Sequence, residues 1–237
     1  GGLRVGIGFE EGDPREAEVL SLTGFCSTEV YRGADEMLED LNRGRIQAAV
    51  RGSLGSAGFL SLLKSAHPDV NPRRIALLVL SSGKPILLAP VGIDEGRSDS
   101  EMEVLVGDCE VFSKMLGWKP RVAVLSSGRA EDVHRGEDIM RSVERGERVA
   151  RKTGARHFHI LIEEALAWGN CLVAPDGICG NLIYRTLAHL GQARSLGALY
   201  FPLELKLADT SRSGATWEYA GAVALACIAA GRAAGHQ

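Results

Sequence analysis

Four short stretches combine glycine with a charged side chain, three of them with serine as well, and each sits at the end of an apolar run or ahead of a helical one. They are Arg51-Gly52-Ser53-Leu54-Gly55-Ser56 after Val50, Ser126-Ser127-Gly128-Arg129 after Leu125, Pro175-Asp176-Gly177-Ile178-Cys179-Gly180-Asn181 after Ala174, and Asp209-Thr210-Ser211-Arg212-Ser213-Gly214 before the last apolar segment. Arg185 follows the third stretch, and Glu218 the fourth. Glycine lets backbone N–H groups approach a ligand, a following helix offers its positive N-terminus, and arginine binds oxyanions through two parallel hydrogen bonds. Taken singly, each stretch is equally explained by turns and caps, where Gly and Ser are ordinary residues. Taken together, Arg51, Arg185 and Arg212 with Ser53, Ser56, Ser126, Ser127, Asp176, Gly180, Asn181 and Ser211 make an inventory for phosphate or another small anion.

Such residues must be positioned by a scaffold, and the sequence describes one. Short apolar runs at 3–8, 46–50, 75–80, 85–89, 121–125, 171–174 and 198–201 read as strands, and 157–162 reads as extended. Amphipathic segments at 35–43, 57–66, 100–116, 137–153, 181–190 and 217–234 read as helices, with Gly154 and Gly191 closing two of them. Strand–helix alternation with strands apolar on both faces predicts a parallel sheet covered on both sides, where ligands bind at the carboxyl ends of strands.

The 237 residues suffice for one large domain or two small lobes. Net charge is −3, which argues against a general nucleic-acid surface. The 21 Arg against 6 Lys suit oxyanion binding, though base composition or a hot habitat produces the same bias. Five scattered Cys with no CxxC pair argue against a disulfide framework or a zinc knuckle. The opening GGLRVGIGFEEGD lacks a signal-peptide core, and no apolar run reaches a membrane span, so a cytoplasmic, non-membrane protein is expected.

Other signals point less far. Gly6-Ile7-Gly8 lacks the third glycine of a dinucleotide fingerprint, since position 11 is Glu11. His157 and His159 share a strand face and with Glu163 form a donor set for a metal, but such a pair is more often part of a surface strand, and no metal is expected. Cys179 is read as a buried thiol, as free cysteine commonly is, and the Arg141–Arg156 run mixed with Glu144 and Glu147 is a solvated helix face.

The order and content of the four loops resemble the phosphate acetyl/butyryltransferase superfamily. Lys119-Pro120-Arg121-Val122-Ala123-Val124-Leu125-Ser126-Ser127 is similar to that family's PRVALLS strand and loop. Pro175-Asp176 through Gly180-Asn181 with Tyr184-Arg185 resembles its PD…GN..YK segment, and Ser211-Arg212 its SRG. Arg51-Gly52-Ser53 to Ser56 resembles its SGA.HST loop less closely. Within the superfamily, the short length and Pro90-Val91-Gly92-Ile93-Asp94-Glu95-Gly96 resemble the methanogen marker proteins also called methyltransferase-related protein MtxX.

The resemblance implies a two-lobed parallel-sheet α/β/α sandwich of the isocitrate/isopropylmalate dehydrogenase-like type, expected here as residues 1–101 plus 196–237 and residues 102–195, with the four loops meeting in a cleft between the lobes. It implies acyl transfer between coenzyme A and phosphate, with coenzyme A a substrate rather than a tightly bound cofactor, and usually a homodimer. By the resemblance Arg212 stabilises the developing charge, and Glu218 or Glu164 is the base. Departures are Glu218 for the family's Asp, Arg185 for its Lys, Gly128-Arg129-Ala130-Glu131-Asp132 in place of its second loop, and a shorter chain, expected to lack N-terminal material of the coenzyme cleft. The alternative reading is a non-catalytic accessory protein for methyl-transfer enzymes, which would be its partners. A methyltransferase proper has family naming behind it but no cofactor loop in the sequence.

Overall fold

The computed structural model describes residues 2–234. In chain order the elements are β1 (Arg4–Gly8), α1 (Glu16–Leu22), β2 (Ser27–Tyr31), α2 (Ala34–Asn42), β3 (Ala48–Val50), α3 (Ser56–Ala66), β4 (Arg73–Val79), β5 (Pro85–Ala89) and α4 (Asp99–Met115). There follow β6 (Val122–Val124), α5 (Glu137–Thr153), β7 (Arg156–His157), α6 (Ile162–Trp168), β8 (Cys171–Val173), α7 (Gly177–Arg185), β9 (Arg194–Phe201), β10 (Leu207–Asp209) and α8 (Thr216–Ala234). Among these residues no helix is long and apolar enough to cross a membrane. The chain is α/β and divides into two compact units, one of residues up to Arg74 with those from Ser195 on, the other Ile75–Arg194.

In the first unit the strand order is β2-β1-β3-β10-β9. All neighbours are parallel except β10 and β9. The strands are short and apolar on both faces because helices cover them: Ala48, Ala49 and Val50 of β3 are all buried. Met37 and Leu38 of α2 and Phe59 and Leu63 of α3 pack with Ile46, Tyr200 and Leu207 on one face. Each such side chain contributes about 1.5–3 kcal/mol by leaving water. Tyr219, Ala222, Val223 and Ala226 form the buried stripe of α8.

In the second unit the order is β4-β5-β8-β6-β7. β4 and β5 form an antiparallel hairpin, and β5, β8, β6 and β7 run parallel. The hairpin turns at Gly83, whose φ of +83° a side chain would strain. α4 begins with Ser98 accepting from the Glu101 amide at 3.2 Å. α5 ends at Gly154 in the left-handed conformation, as its sequence position predicts.

The sheet is mostly parallel, as expected, with β4–β5 and β9–β10 as antiparallel pairs. The compact units divide at 74/75 and 194/195, beside the expected lobe bounds of 101/102 and 195/196. Two expectations need correction. Residues 157–162 are not extended: β7 stops at His157, His159 has φ +54°, and α6 starts at Ile162. α7 starts at Gly177 rather than Asn181, because the Asp176 carboxylate accepts from the Cys179 amide at 2.8 Å and caps the helix there.

Candidate functional site

β1, β3 and β10 are adjacent and parallel, so their carboxyl ends lie along one edge of the first unit. The loop after β3 is pressed against the end of β1. Ser53 N donates to Gly8 O at 3.1 Å, and a Cβ on Gly52 would stand 1.8 Å from the same oxygen. Gly52 also has φ +63°, so glycine is required there twice over. The Ser53 hydroxyl accepts from the Glu10 amide at 2.9 Å.

Arg51 is buried, and its guanidinium donates to Asp209 Oδ1 at 2.5 Å and to the carbonyls of Leu54 and Thr210. Asp209 also accepts from Arg74 Nη1 at 3.2 Å, the Tyr200 hydroxyl at 3.2 Å and the Thr210 amide at 3.0 Å. Burial alone would raise the Asp209 carboxyl, but Arg51 and Arg74 overcome it and hold the group below the usual carboxylate range. Arg51 therefore fastens the β3 loop to the β10 loop; its place is under the site.

The loop after β10 is fixed from several sides. The Thr210 hydroxyl donates to Gly52 O at 2.9 Å. Ser211 N donates to Glu218 Oε1 at 2.6 Å, and Gly214 N to Ser211 O at 2.9 Å. Glu218 is buried in the first turn of α8, so its carboxylate closes the loop rather than facing solvent. Arg15 Nη1 donates to the carbonyls of Arg212 at 2.7 Å and Gly214 at 2.8 Å. Above this frame the Ser211 and Ser213 hydroxyls lie 3.0 Å apart. The Arg212 side chain is exposed and, among the described residues, has no hydrogen-bond or ion-pair partner.

In the second unit, the loop after β6 places the buried Ser126 hydroxyl 3.0 Å from Gly128 O, to which it donates, and 2.9 Å from His157 Nε2. With the hydroxyl proton committed, His157 carries its proton on Nε2 and donates to Ser126, the reverse of a base activating a nucleophile. The exposed Ser127 receives a bond from the Ser142 hydroxyl at 3.1 Å and gives its amide to the same oxygen at 2.9 Å. The His157 and His159 rings stand 4.1 Å apart. Burial first and His159 second push His157 down to about 4. Because protonation is then easier in the unfolded chain, this histidine costs nothing above pH 6.5 and lowers stability as pH falls from 6.5 toward about 4. His157→Gln, which keeps an N–H donor without a titrating ring, is expected to flatten that part of a urea-midpoint versus pH curve; an unchanged slope would refute the assignment.

The N-terminus of α7 is covered by residues 90–96. Gly177 N donates to Glu95 O at 3.0 Å, and Asn181 Nδ2 to Val91 O at 2.9 Å. A Cβ would meet Gly92 O at 1.7 Å from Gly177 and Pro90 O at 1.8 Å from Gly180. Asp176, Gly180 and Asn181, read in the sequence as anion contacts, are thus engaged in capping and loop docking. Arg185 is exposed at the end of α7, and Glu164 is exposed in the first turn of α6.

The structure therefore brings Arg51, Ser53, Ser211, Arg212 and Glu218 to one edge of the first unit, with Ser56 opening α3 nearby in sequence. Ser126, Ser127, Asp176, Gly180, Asn181, Arg185 and Glu164 belong to the second. Sequence reasoning missed Asp13, Arg15 and Tyr219. The available signal was Asp13-Pro14-Arg15 ahead of α1, a turn signature with both partners of an ion pair. Among the described residues no three His, Cys, Asp or Glu are arranged to hold a metal.

No family model matches the chain. It is 41% identical over 175 residues to mtx subunit X of Methanosarcina barkeri, named provisionally as a methyltransferase, covering 72% of this chain and 65% of that protein. It is 38% identical over 207 residues to the uncharacterized methyltransferase MK0941 of Methanopyrus kandleri, covering 82% and 79%. A third relative, MJ1371 of Methanocaldococcus jannaschii, is 31% identical over 226 residues, covering 90% and 91%. The chain spans just under two thirds of the length of the M. barkeri relative. Among solved structures, a branched-chain phosphotransacylase from Enterococcus faecalis superposes with TM-score 0.71 at 17% identity, covering 96% of this chain and 99% of that one. Isocitrate dehydrogenase from Methylococcus capsulatus superposes with TM-score 0.56 at 10% identity, covering 97% and 88%. The fold is thus that of the phosphotransacylases and isocitrate dehydrogenase-like proteins.

Proposed function

We propose, for a chain that belongs to the family of the uncharacterized methyltransferases MK0941 and MJ1371, that it is a transferase of phosphate acyltransferase type, which binds phosphate or a phosphorylated or coenzyme A-linked substrate at its Ser211–Gly214 loop. The observation that carries this reading is the unpaired, exposed Arg212 on a loop whose backbone is held from several sides. With the backbone already held, binding an oxyanion has only the side chain left to order, and the guanidinium stabilises negative charge that develops on a transferred group. Ser211 and Ser213 supply hydroxyls beside it. Glu218 acts by holding the loop, and the base is not assigned to it. Ser127 and Arg185 are anion contacts on the second unit, and coenzyme A is a substrate, not a resident cofactor.

The test is a thermal-shift titration with phosphate, acetyl phosphate and coenzyme A. A ligand at 100 times its dissociation constant adds about 2.7 kcal/mol if it binds only the folded state. Arg212→Ala is expected to remove the phosphate shift and leave the unliganded melting temperature within a few degrees, since the side chain is exposed. A full shift retained in the variant would end this reading.

A second reading is a non-catalytic accessory protein for methyl-transfer enzymes. It is favoured by the covered N-terminus of α7, which leaves fewer groups for an anion than the sequence implies. No shift with any of the three ligands, together with a stable complex with a purified methyl-transfer enzyme, would support it.

A further inference from the structure

We infer that Arg15, locked by Asp13, is a positioning residue that fixes the backbone of the Arg212 loop. Asp13 grips the guanidinium as a fork: Oδ1 accepts from Nε at 2.8 Å and Oδ2 from Nη2 at 2.6 Å. Oδ1 also accepts from the Arg15 amide at 3.0 Å, so the aspartate sets both the backbone and the side chain of its partner. The pair is protected, with side-chain exposure of 4% for Asp13 and 23% for Arg15. The flat face of the guanidinium lies 4.5 Å from the centre of the Tyr219 ring, which itself stacks on Phe9 at 5.7 Å with 8° between planes. Only Nη1 points onward, and it takes the two carbonyls of Arg212 and Gly214.

This arrangement spans 197 residues of sequence to hold one turn of chain. Arg15 has its hydrogen bonds to Asp13 on one side and to loop carbonyls on the other, so its role runs through main-chain geometry. Glu218 holds the Ser211 amide of the same turn. The two together clamp donor and acceptor groups of the same turn and leave the Arg212 side chain outside. Lysine cannot substitute, because a point charge on a flexible stem cannot engage a carboxylate fork and two carbonyls at once.

The inference rests on the anion reading of Arg212 for its purpose, though not for its test. Hydrogen exchange and phosphate titration on the same purified proteins separate the two. In Arg15→Met, amide exchange over residues 211–214 is expected to quicken about tenfold while that of β3 stays unchanged, and phosphate binding is expected to weaken about tenfold. Arg15→Lys is expected to behave like Arg15→Met. Asp13→Asn, which unlocks the guanidinium but keeps a hydrogen-bonding side chain, is expected to show the same local effect and stands in if Arg15→Met fails to fold. Unchanged exchange over 211–214 in the folded variants would overturn the clamp. A loosened loop with phosphate affinity unchanged would overturn its positioning role. If the parent protein binds no phosphate, the proposed function falls, and the clamp is decided by exchange alone.

Discussion

Arg51→Met is expected to lower folding stability by about 3–5 kcal/mol, the cost of leaving a buried charge without its main partner. The wild-type guanidinium closes Asp209 at 2.5 Å and takes the Leu54 and Thr210 carbonyls. Methionine fills much of the same volume, so the loss reports on the polar network rather than on a cavity. Arg74 at 3.2 Å remains as the partner of Asp209 but cannot replace the two carbonyl bonds. Urea denaturation checks the magnitude, and a loss under about 1 kcal/mol would show that the network contributes little net stability. The pH dependence gives an independent check. In the parent protein Asp209 is held low, so its contribution is present at neutral pH and is lost as pH falls through its folded value. With Arg51 gone the carboxyl moves upward, and the variant should lose less stability on acidification than the parent does.

Gly180→Ala is expected to cost about 3 kcal/mol or more, although alanine is the better helix former. A Cβ there would stand 1.8 Å from Pro90 O, and backbone cannot yield as the tip of a flexible side chain does. Either α7 shifts or residues 90–96 lift away, and lifting them also breaks the Asn181 bond to Val91 O. Gly107→Ala is the control: it lies in α4, exposed, with nothing within 4 Å of the point a Cβ would occupy, and it should stabilise by about 0.5–1 kcal/mol. If both substitutions are neutral, the close approach is not a constraint, and Gly180 regains the ligand-facing role that its sequence position implies.

The sequence made the long elements legible. The stripes of α2, α4, α5 and α8 carry enough residues for their period to be read, and β1, β5 and β8 stand out as unbroken apolar runs. It did not reveal α1, β2, α6 or β10, each of which has at most seven residues. β10 shows why: its three residues are a strand because β3 and β9 flank them, a fact of pairing rather than of local pattern. The site is legible in its residue types, whereas the contacts of each residue are not. Gly-rich loops were correctly located at strand ends, yet glycine serves close backbone approach equally well whether the neighbour is a ligand or another loop. At Gly52, Gly177 and Gly180 the neighbour is protein. The sequence likewise places Arg51 and Glu218 toward a substrate, whereas both are buried and bind the loops themselves. Only burial distinguishes these cases, and burial is a property of the fold. Arg15 lay beyond reach because its partners are contributed from the other end of the chain.

The placement of β10 has a consequence for how the molecule comes into being on the ribosome. β3 pairs with β1 on one side and with β10 on the other, and β10 is synthesised more than 150 residues after Arg51, whose partner Asp209 ends that strand. While the chain is still growing, β3 exposes an open edge and Arg51 has no carboxylate to meet. The residues of the second unit are continuous in sequence and all emerge before that closing strand. The nascent first unit therefore waits as an unfinished sheet, the state in which strand edges are most open to wrong pairing. Birth order gives the C-terminal segment a task apart from ligand chemistry: its arrival closes the edge, neutralises the buried arginine and brings the Arg212 turn to Arg15 in one step.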